Sequence, residues 1–168
     1  MTKLTFHFES PRDVLAKLER DLERLHTAVR SNSKIEIADA FFDLANTGYC
    51  IKEWLKKNTN ANFTEQDVET YIESNIVLDA CRDISNANKH FTLKEKRIPK
   101  AKVSKVTLSS SSAIQHAPMK ELGEAPLYLE PPRYHVKVIL SDGAKYEITE
   151  FGRTVVNSWK SFYAAKKI

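Results

Sequence analysis

The sequence predicts an α+β fold: an antiparallel bundle of three long helices, then a small antiparallel sheet with a β-hairpin, and a C-terminal helix. Three observations predict it. Apolar residues recur every three to four positions through about residues 10–91, as in amphipathic helices. Apolar and polar residues alternate on both sides of Ser141-Asp142-Gly143, as they do in a hairpin. The helical period returns after residue 149, in a segment that ends with lysines.

The first helix is predicted to begin after Ser10 and to end at Ser31-Asn32-Ser33. Ser10 is a suitable N-cap, and Pro11 fits the first helical position. Its apolar seam consists of Leu15, Leu18, Leu22, Leu25 and Val29. Before it, the alternation of Leu4, Phe6 and Phe8 with polar residues indicates a short strand or an extended arm.

Two further helices follow. The second runs from about Lys34 to Lys57 and contains Gly48, which costs about 1 kcal/mol relative to Ala. A closely packed neighbouring backbone would explain that glycine. The third begins at the capping-box sequence Thr64-Glu-Gln-Asp67 and continues for about 25 residues, to a point near His90.

The second half of the chain has a different character. We expect a strand over Val103–Leu108, an irregular segment over 109–133 that is rich in serine and proline, and a hairpin formed by Tyr134–Leu140 and Ala144–Thr149. Thr149 or Glu150 then begins the last helix. The chain is thus predicted to be a single domain over 1–168, with a helical part at about 10–91 and the sheet and last helix at about 100–168.

Composition indicates an ordinary globular protein. The chain has 168 residues, of which 42% are hydrophobic and 29% charged, enough to bury one core. No apolar run approaches the ~20 residues that span a bilayer, and the polar N-terminus does not resemble a signal peptide. We therefore expect a cytoplasmic protein with no membrane partner.

No cofactor and no metal are expected. With four glycines and no glycine-rich phosphate loop, the sequence offers little with which to bind a nucleotide cofactor. Cys50 and Cys81 lack the spacing of zinc ligands, and their apolar helical surroundings predict two small buried side chains.

One cluster of polar residues stands out near the end of the third predicted helix. At about 100° per residue, its members fall within an arc of about 100° and can touch in pairs four positions apart. This polar stripe could bind an anion or carry out acid–base chemistry; it consists of Asp79, Arg82, Asp83, Asn86 and His90. Asp79 and the nearby cations Lys89, Lys94, Lys96 and Arg97 are the predicted binding residues.

The chain has a net charge of +4, and much of its excess of lysine and arginine lies just after this stripe. A basic patch beside a polar site would attract phosphate groups. The alternative is a solvated connector whose lysines keep the chain soluble.

The stripe resembles the motif of HEPN domains, which have an Arg, often a polar residue after it, and a His. Arg82, Asp83 and His90 match these positions, although seven residues separate Arg82 from His90 where the family pattern has four to six. The resemblance implies a helical homodimer that cleaves RNA without a metal, with the Arg and His of two subunits meeting at the interface. It would make His90 the general acid or base, Arg82 the group that stabilises the phosphorane, and Asp83 and Asn86 the residues that orient them.

Three functional alternatives follow. The first is a small HEPN-like component that binds a partner protein or RNA without cutting it, of the kind found in toxin–antitoxin or defence modules. The second is a metal-independent endoribonuclease that uses Arg82 and His90. In the third, Asp79, Arg82 and Asp83 form surface ion pairs worth about 0–1 kcal/mol each, while His90 caps the helix.

Overall fold

The computed structural model describes residues 8–59, 62–89, 103–111 and 132–168. Within these residues the chain forms five helices and one three-stranded antiparallel sheet, which confirms the α+β class. In chain order the elements are α1 (Pro11–Ser31), α2 (Lys34–Lys56), α3 (Glu65–Ser74), α4 (Ile76–Lys89), β1 (Val103–Ser111), β2 (Arg133–Leu140), β3 (Lys145–Glu147) and α5 (Ile148–Lys166).

The start of α1 is the one that the sequence predicts. The Asp13 carboxylate accepts the Ser10 backbone N–H at 2.8 Å and the Ser10 hydroxyl at 2.9 Å. Pro11 occupies the first helical position, where its missing N–H costs no hydrogen bond. The helix ends at Asn32, which adopts the left-handed conformation with φ 56°.

The prediction of a single third helix is wrong, because the chain breaks at Asn75 into α3 and α4. Asn75 is extended, with φ −116° and ψ 99°, and its Oδ1 accepts the N–H groups of Val77 and Leu78 at 3.2 Å each. An Asn side chain that bonds the next turn in this way ends one helix and caps another. The capping box at Thr64 and Asp67 is confirmed.

The core lies where α5 crosses the other helices, and two glycines allow the close approach. A Cβ on Gly48 would lie 2.9 Å from Val155 Cγ1, and one on Gly152 would lie 2.9 Å from Leu44 Cδ1. The buried indole of Trp159 donates to the Gly48 carbonyl at 2.8 Å. The close neighbour of Gly48 is therefore the side-chain surface of α5 and not another backbone.

The sheet has the order β1-β2-β3, with Val106 paired to Val138 and Leu108 to Val136. The predicted hairpin is confirmed, and Gly143 takes φ 89° in its turn. Its second strand is shorter than predicted, Lys145–Glu147 and not Ala144–Thr149, because α5 already begins at Ile148. The expected irregular segment is too long at both ends, because Ser109–Ser111 continue β1 and Arg133 begins β2. Ser109–Ser111 pair with Arg133–His135 in the ladder. Local composition does not reveal such a contact between distant parts of the chain.

Three other expectations have mixed outcomes. Leu4 and Phe6 lie outside the described residues, while Phe8 is not in a strand and packs edge-on against Trp54. Cys81 is buried as predicted, but Cys50 is exposed, because it lies on the side of α2 that faces away from the core. In the described part of the chain, no helix combines the length and apolar character needed to cross a membrane.

Candidate functional site

The first half of the polar stripe forms a compact ion cluster on α4. Arg82 Nη1 lies 2.7 Å from Asp79 Oδ1, and Nη2 lies 3.5 Å from Asp83 Oδ1. The two carboxylates are buried, with 3% and 2% of their residue surfaces exposed, whereas 30% of the Arg82 side chain is exposed. The prediction of surface ion pairs is therefore wrong: the neighbouring elements cover both carboxylates and leave the guanidinium at the surface.

Asp83 also links α4 to the sheet. Its Oδ2 accepts the backbone N–H of Val103, the first residue of β1, at 3.2 Å. A buried carboxylate needs such donors, because an unsatisfied one would cost several kcal/mol. The stripe residue that the HEPN resemblance assigns to orienting catalytic groups thus orients a strand.

A second set of charges lies on α2 and α3. Lys56 Nζ lies 2.9 Å from Glu69 Oε1, and Lys52 Nζ lies 3.8 Å from the same oxygen. The pKa of Glu69 is lowered chiefly by its hydrogen bond from Lys56, with smaller contributions from the charges of Lys52, Lys56 and Arg82. Arg82 therefore belongs to a network of mixed charges across α2, α3 and α4.

The structure brings only part of the predicted site together. Asn86 is half-buried on α4, one turn after Arg82. Lys89 is the last residue of α4, and its side chain is not among those described. His90, Lys94, Lys96 and Arg97 lie outside the described residues, so the pairing of Arg82 with His90 stays a prediction.

Next to Asp83, a cavity of about 340 Å³ opens between the helices and the sheet. We call it the sheet–helix cavity. Apart from Asp83 and Lys34, its lining is apolar, and it is formed by Lys34, Ile37, Ala38, Phe41, Phe42, Asp83, Ile84, Ala87, Val103, Val106, Leu108, Val136 and Ile148. Ligand pockets in proteins typically have volumes of about 300–1,000 Å³ and mostly apolar walls.

Two apolar side chains of this lining are exposed. Val106 and Leu108 are 44% and 41% exposed although both line it, and Ile35, next to Lys34, is 73% exposed. In the described part of the chain these are the large hydrophobic side chains that are left exposed. Sequence reasoning missed this site because five separate elements build it; the alternation in β1 indicates an inward face but not what covers it.

Among the residues that the structure describes, no three His, Cys, Asp or Glu side chains come together in a group that could hold a metal ion. The described side chains of the stripe and the cavity form ion pairs, hydrogen bonds and apolar surfaces. In comparisons with protein families, with curated proteins and with solved structures, nothing matches this chain.

Proposed function

We propose that this protein is a non-catalytic, HEPN-like binding component that takes an extended segment of a partner protein alongside β1. One apolar side chain of that segment would enter the sheet–helix cavity. The observation that supports this proposal is the cavity itself, an apolar space of about 340 Å³ beside an edge strand whose inward residues Val106 and Leu108 remain exposed.

The polar stripe supports a structural role for Arg82 better than a catalytic one. An arginine that stabilises a reacting phosphate must direct its donors at the substrate. Here the guanidinium is already bound to the Asp79 and Asp83 carboxylates, and it lies near Glu69. The ribonuclease alternative stays a prediction, and it requires Arg82 to release at least one of these partners.

An extended peptide fits the surface better than RNA does. In the described part of the sheet, β1 pairs with a neighbour on one side only, so its other edge can accept a further strand. Alternate side chains of that strand would face the helices, where Ile35, Ala38 and Phe42 would meet them. The two charged residues of the cavity lining, Lys34 and Asp83, have opposite signs, so the lining has no excess of positive charge for an RNA backbone.

A selection of phage-displayed random peptides on the full chain tests this proposal. We expect the enriched peptides to alternate apolar and polar residues and to protect the β1 amides from hydrogen exchange. Val106→Lys and Leu108→Lys place a charge on the cavity face and should each weaken the selected peptides by at least about tenfold, because burying a lysine without a partner costs over 1.4 kcal/mol. Ser109→Lys, on the opposite face of the same strand, is the matched control and should bind as the wild type does.

Three results would overturn the proposal. They are the absence of any enriched sequence, protection that lies away from β1, and equal affinity of the peptides for all three variants. Cleavage of an RNA oligonucleotide that Arg82→Ala abolishes, in a variant that stays folded, would instead establish the ribonuclease alternative.

A further inference from the structure

A second concave surface lies where the end of α1 meets the start of β2. It has a volume of about 730 Å³ and is lined by Val29, Arg30, Ser31, Asn32, Arg133, Tyr134 and His135. We call it the arginine pocket. Residues that are about 100 positions apart in the chain meet in it, so it is a product of the fold and not of a local charge run.

Asn32 holds the two sides of this pocket together. Its Nδ2 donates to the Pro132 carbonyl at 2.7 Å, and its Oδ1 accepts the Tyr134 backbone N–H at 2.8 Å. These two bonds bracket Arg133, so the backbone of Arg133 is fixed against the end of α1. Asn32 makes them from the left-handed conformation, which costs an L-residue about 1 kcal/mol and is tolerated best by Asn after Gly.

The pocket combines two unneutralised arginines. Arg30 and Arg133 are both exposed, and neither forms a salt bridge within the described part of the chain. The Arg30 guanidinium donates to the Thr27 hydroxyl at 3.0 Å, a neutral partner. The Glu36 carboxylate accepts the hydroxyl of Ser31, a lining residue, at 2.6 Å.

His135 adds a further polar group to the same surface. Its Nε2 lies 3.1 Å from the Ser111 hydroxyl on the paired strand β1. The half-buried ring of Tyr134 contributes to the wall of the pocket. The helix dipole by itself favours an arginine in the last turn of α1, where Arg30 lies. It does not explain why Arg133 and His135 line the same pocket.

We infer that the arginine pocket binds a phosphate group. Two guanidinium groups that line one concave surface can bind the same anion, and planar guanidinium groups bind phosphate oxygens in pairs. The phosphate can belong to a small phosphate ester or to the backbone of a nucleic acid. This inference does not depend on the proposed peptide site, which uses other residues.

Binding measurements on the full chain test it, with pyrophosphate and a fluorescent single-stranded RNA oligonucleotide as the two probes. At about 0.1 M salt, charges more than about 10 Å apart are largely screened, so distant arginines contribute little. Arg30→Glu and Arg133→Glu should each weaken binding of the recognised probe by at least about tenfold, the loss of one charge-assisted hydrogen bond. Arg153→Glu makes the same charge change at an exposed position of α5 and should leave the affinity unchanged.

The two hydrogen bonds of Asn32 give an independent test. Asn32→Gly keeps the left-handed backbone but removes both hydrogen bonds to the start of β2, so the backbone of Arg133 should no longer be fixed against the end of α1. We expect weaker binding of the probe in this variant while both guanidinium groups are still present. Circular dichroism and thermal unfolding show whether the Asn32→Gly variant is folded. If it is not, the affinity of Arg30→Glu decides the test.

The outcomes separate the sources and can reject the inference. Saturable binding of pyrophosphate that displaces RNA indicates a small phosphate ligand, whereas RNA binding that pyrophosphate does not displace indicates a nucleic-acid backbone. Failure of both probes to bind at millimolar concentration overturns the inference. An equal loss of affinity in Arg153→Glu also overturns it, because the effect would then come from net charge alone.

Discussion

The carboxylate of Asp83 accepts the backbone N–H of Val103, 20 positions later in the chain, across 3.2 Å. This bond joins the last turns of α4 to the start of β1. Asp83 is also paired with Arg82 and lines the sheet–helix cavity, so this residue connects the ion cluster, the edge strand and the cavity. We therefore expect changes in the stripe to affect the stability of the fold and the shape of the cavity together.

Asp83→Ala should lower the free energy of unfolding by about 1–3 kcal/mol, because it leaves the Val103 N–H without its acceptor and removes one of the two carboxylates that pair with Arg82. Urea unfolding of the full chain measures this loss. Asp39→Ala removes a carboxylate from an exposed position of α2 and should change the same quantity by less than about 0.5 kcal/mol. A similar small effect of Asp83→Ala would show that its bond to β1 contributes little.

Gly48→Ala should destabilise the protein by about 1–3 kcal/mol, although alanine is the better helix former. The added Cβ would lie 2.9 Å from Val155 Cγ1, closer than two carbon atoms can pack. Urea unfolding of Gly48→Ala, Val155→Ala and the double variant forms a thermodynamic cycle. The destabilisation of the double variant should be smaller than the sum of the two single destabilisations, because Val155→Ala removes the clashing methyl group. Simple additivity would contradict this packing.

The two cysteines should react differently with a thiol reagent. Burial raises the pKa of the Cys81 thiol far above its ordinary value, whereas Cys50 is exposed on α2. Since the thiolate is the reactive form, we expect one thiol per native chain to be labelled rapidly, and both after denaturation. Cys50→Ser should abolish the rapid labelling and Cys81→Ser should not; the reverse pattern would mean that α2 and α4 are packed differently.

The Asp67 carboxyl should titrate with a pKa of about 2, below its usual value of 3.8. Hydrogen bonds from the Thr64 hydroxyl and backbone N–H are the main causes, and Lys166, with Nζ at 3.1 Å, adds to them. Because the folded state lowers this pKa, the stability that Asp67 contributes is complete above about pH 4 and is lost as the pH falls through about 2.

Carboxyl chemical shifts from NMR give this titration directly. Thr64→Ala should move the midpoint back toward 3.8, and Lys166→Ala should move it by less, because the Thr64 hydroxyl is the larger cause. Gln66→Ala changes a neighbouring side chain of the same helical turn that does not bond Asp67, and should leave the midpoint in place. A midpoint that stayed at about 2 in Thr64→Ala, as in the wild type, would contradict the capping box.

Predictions from local signals succeeded where the contacts themselves are local. The helix start at Ser10, the capping box at Thr64 and the Gly143 turn depend on residues within four positions of each other, so their sequences specify them. The break at Asn75 was missed because the apolar period continues across it, from Ile72 to Ile76, and only the side chain of Asn75 interrupts the helix. The sequence signal for the break is the preference of Asn for helix ends.

Sequence alone determined the α+β class, the hairpin, the last helix and the grouping of Asp79, Arg82 and Asp83 on one face of a helix, because helical and strand periods already define these features. Tertiary structure alone decided that both carboxylates are buried, that Asp83 bonds β1, and that Arg30 and Arg133 share a pocket. It also decided that Val106 and Leu108 line a cavity and remain exposed. Those features depend on which distant elements pack together, and packing is governed by the sum of many weak contacts that no short stretch of sequence encodes.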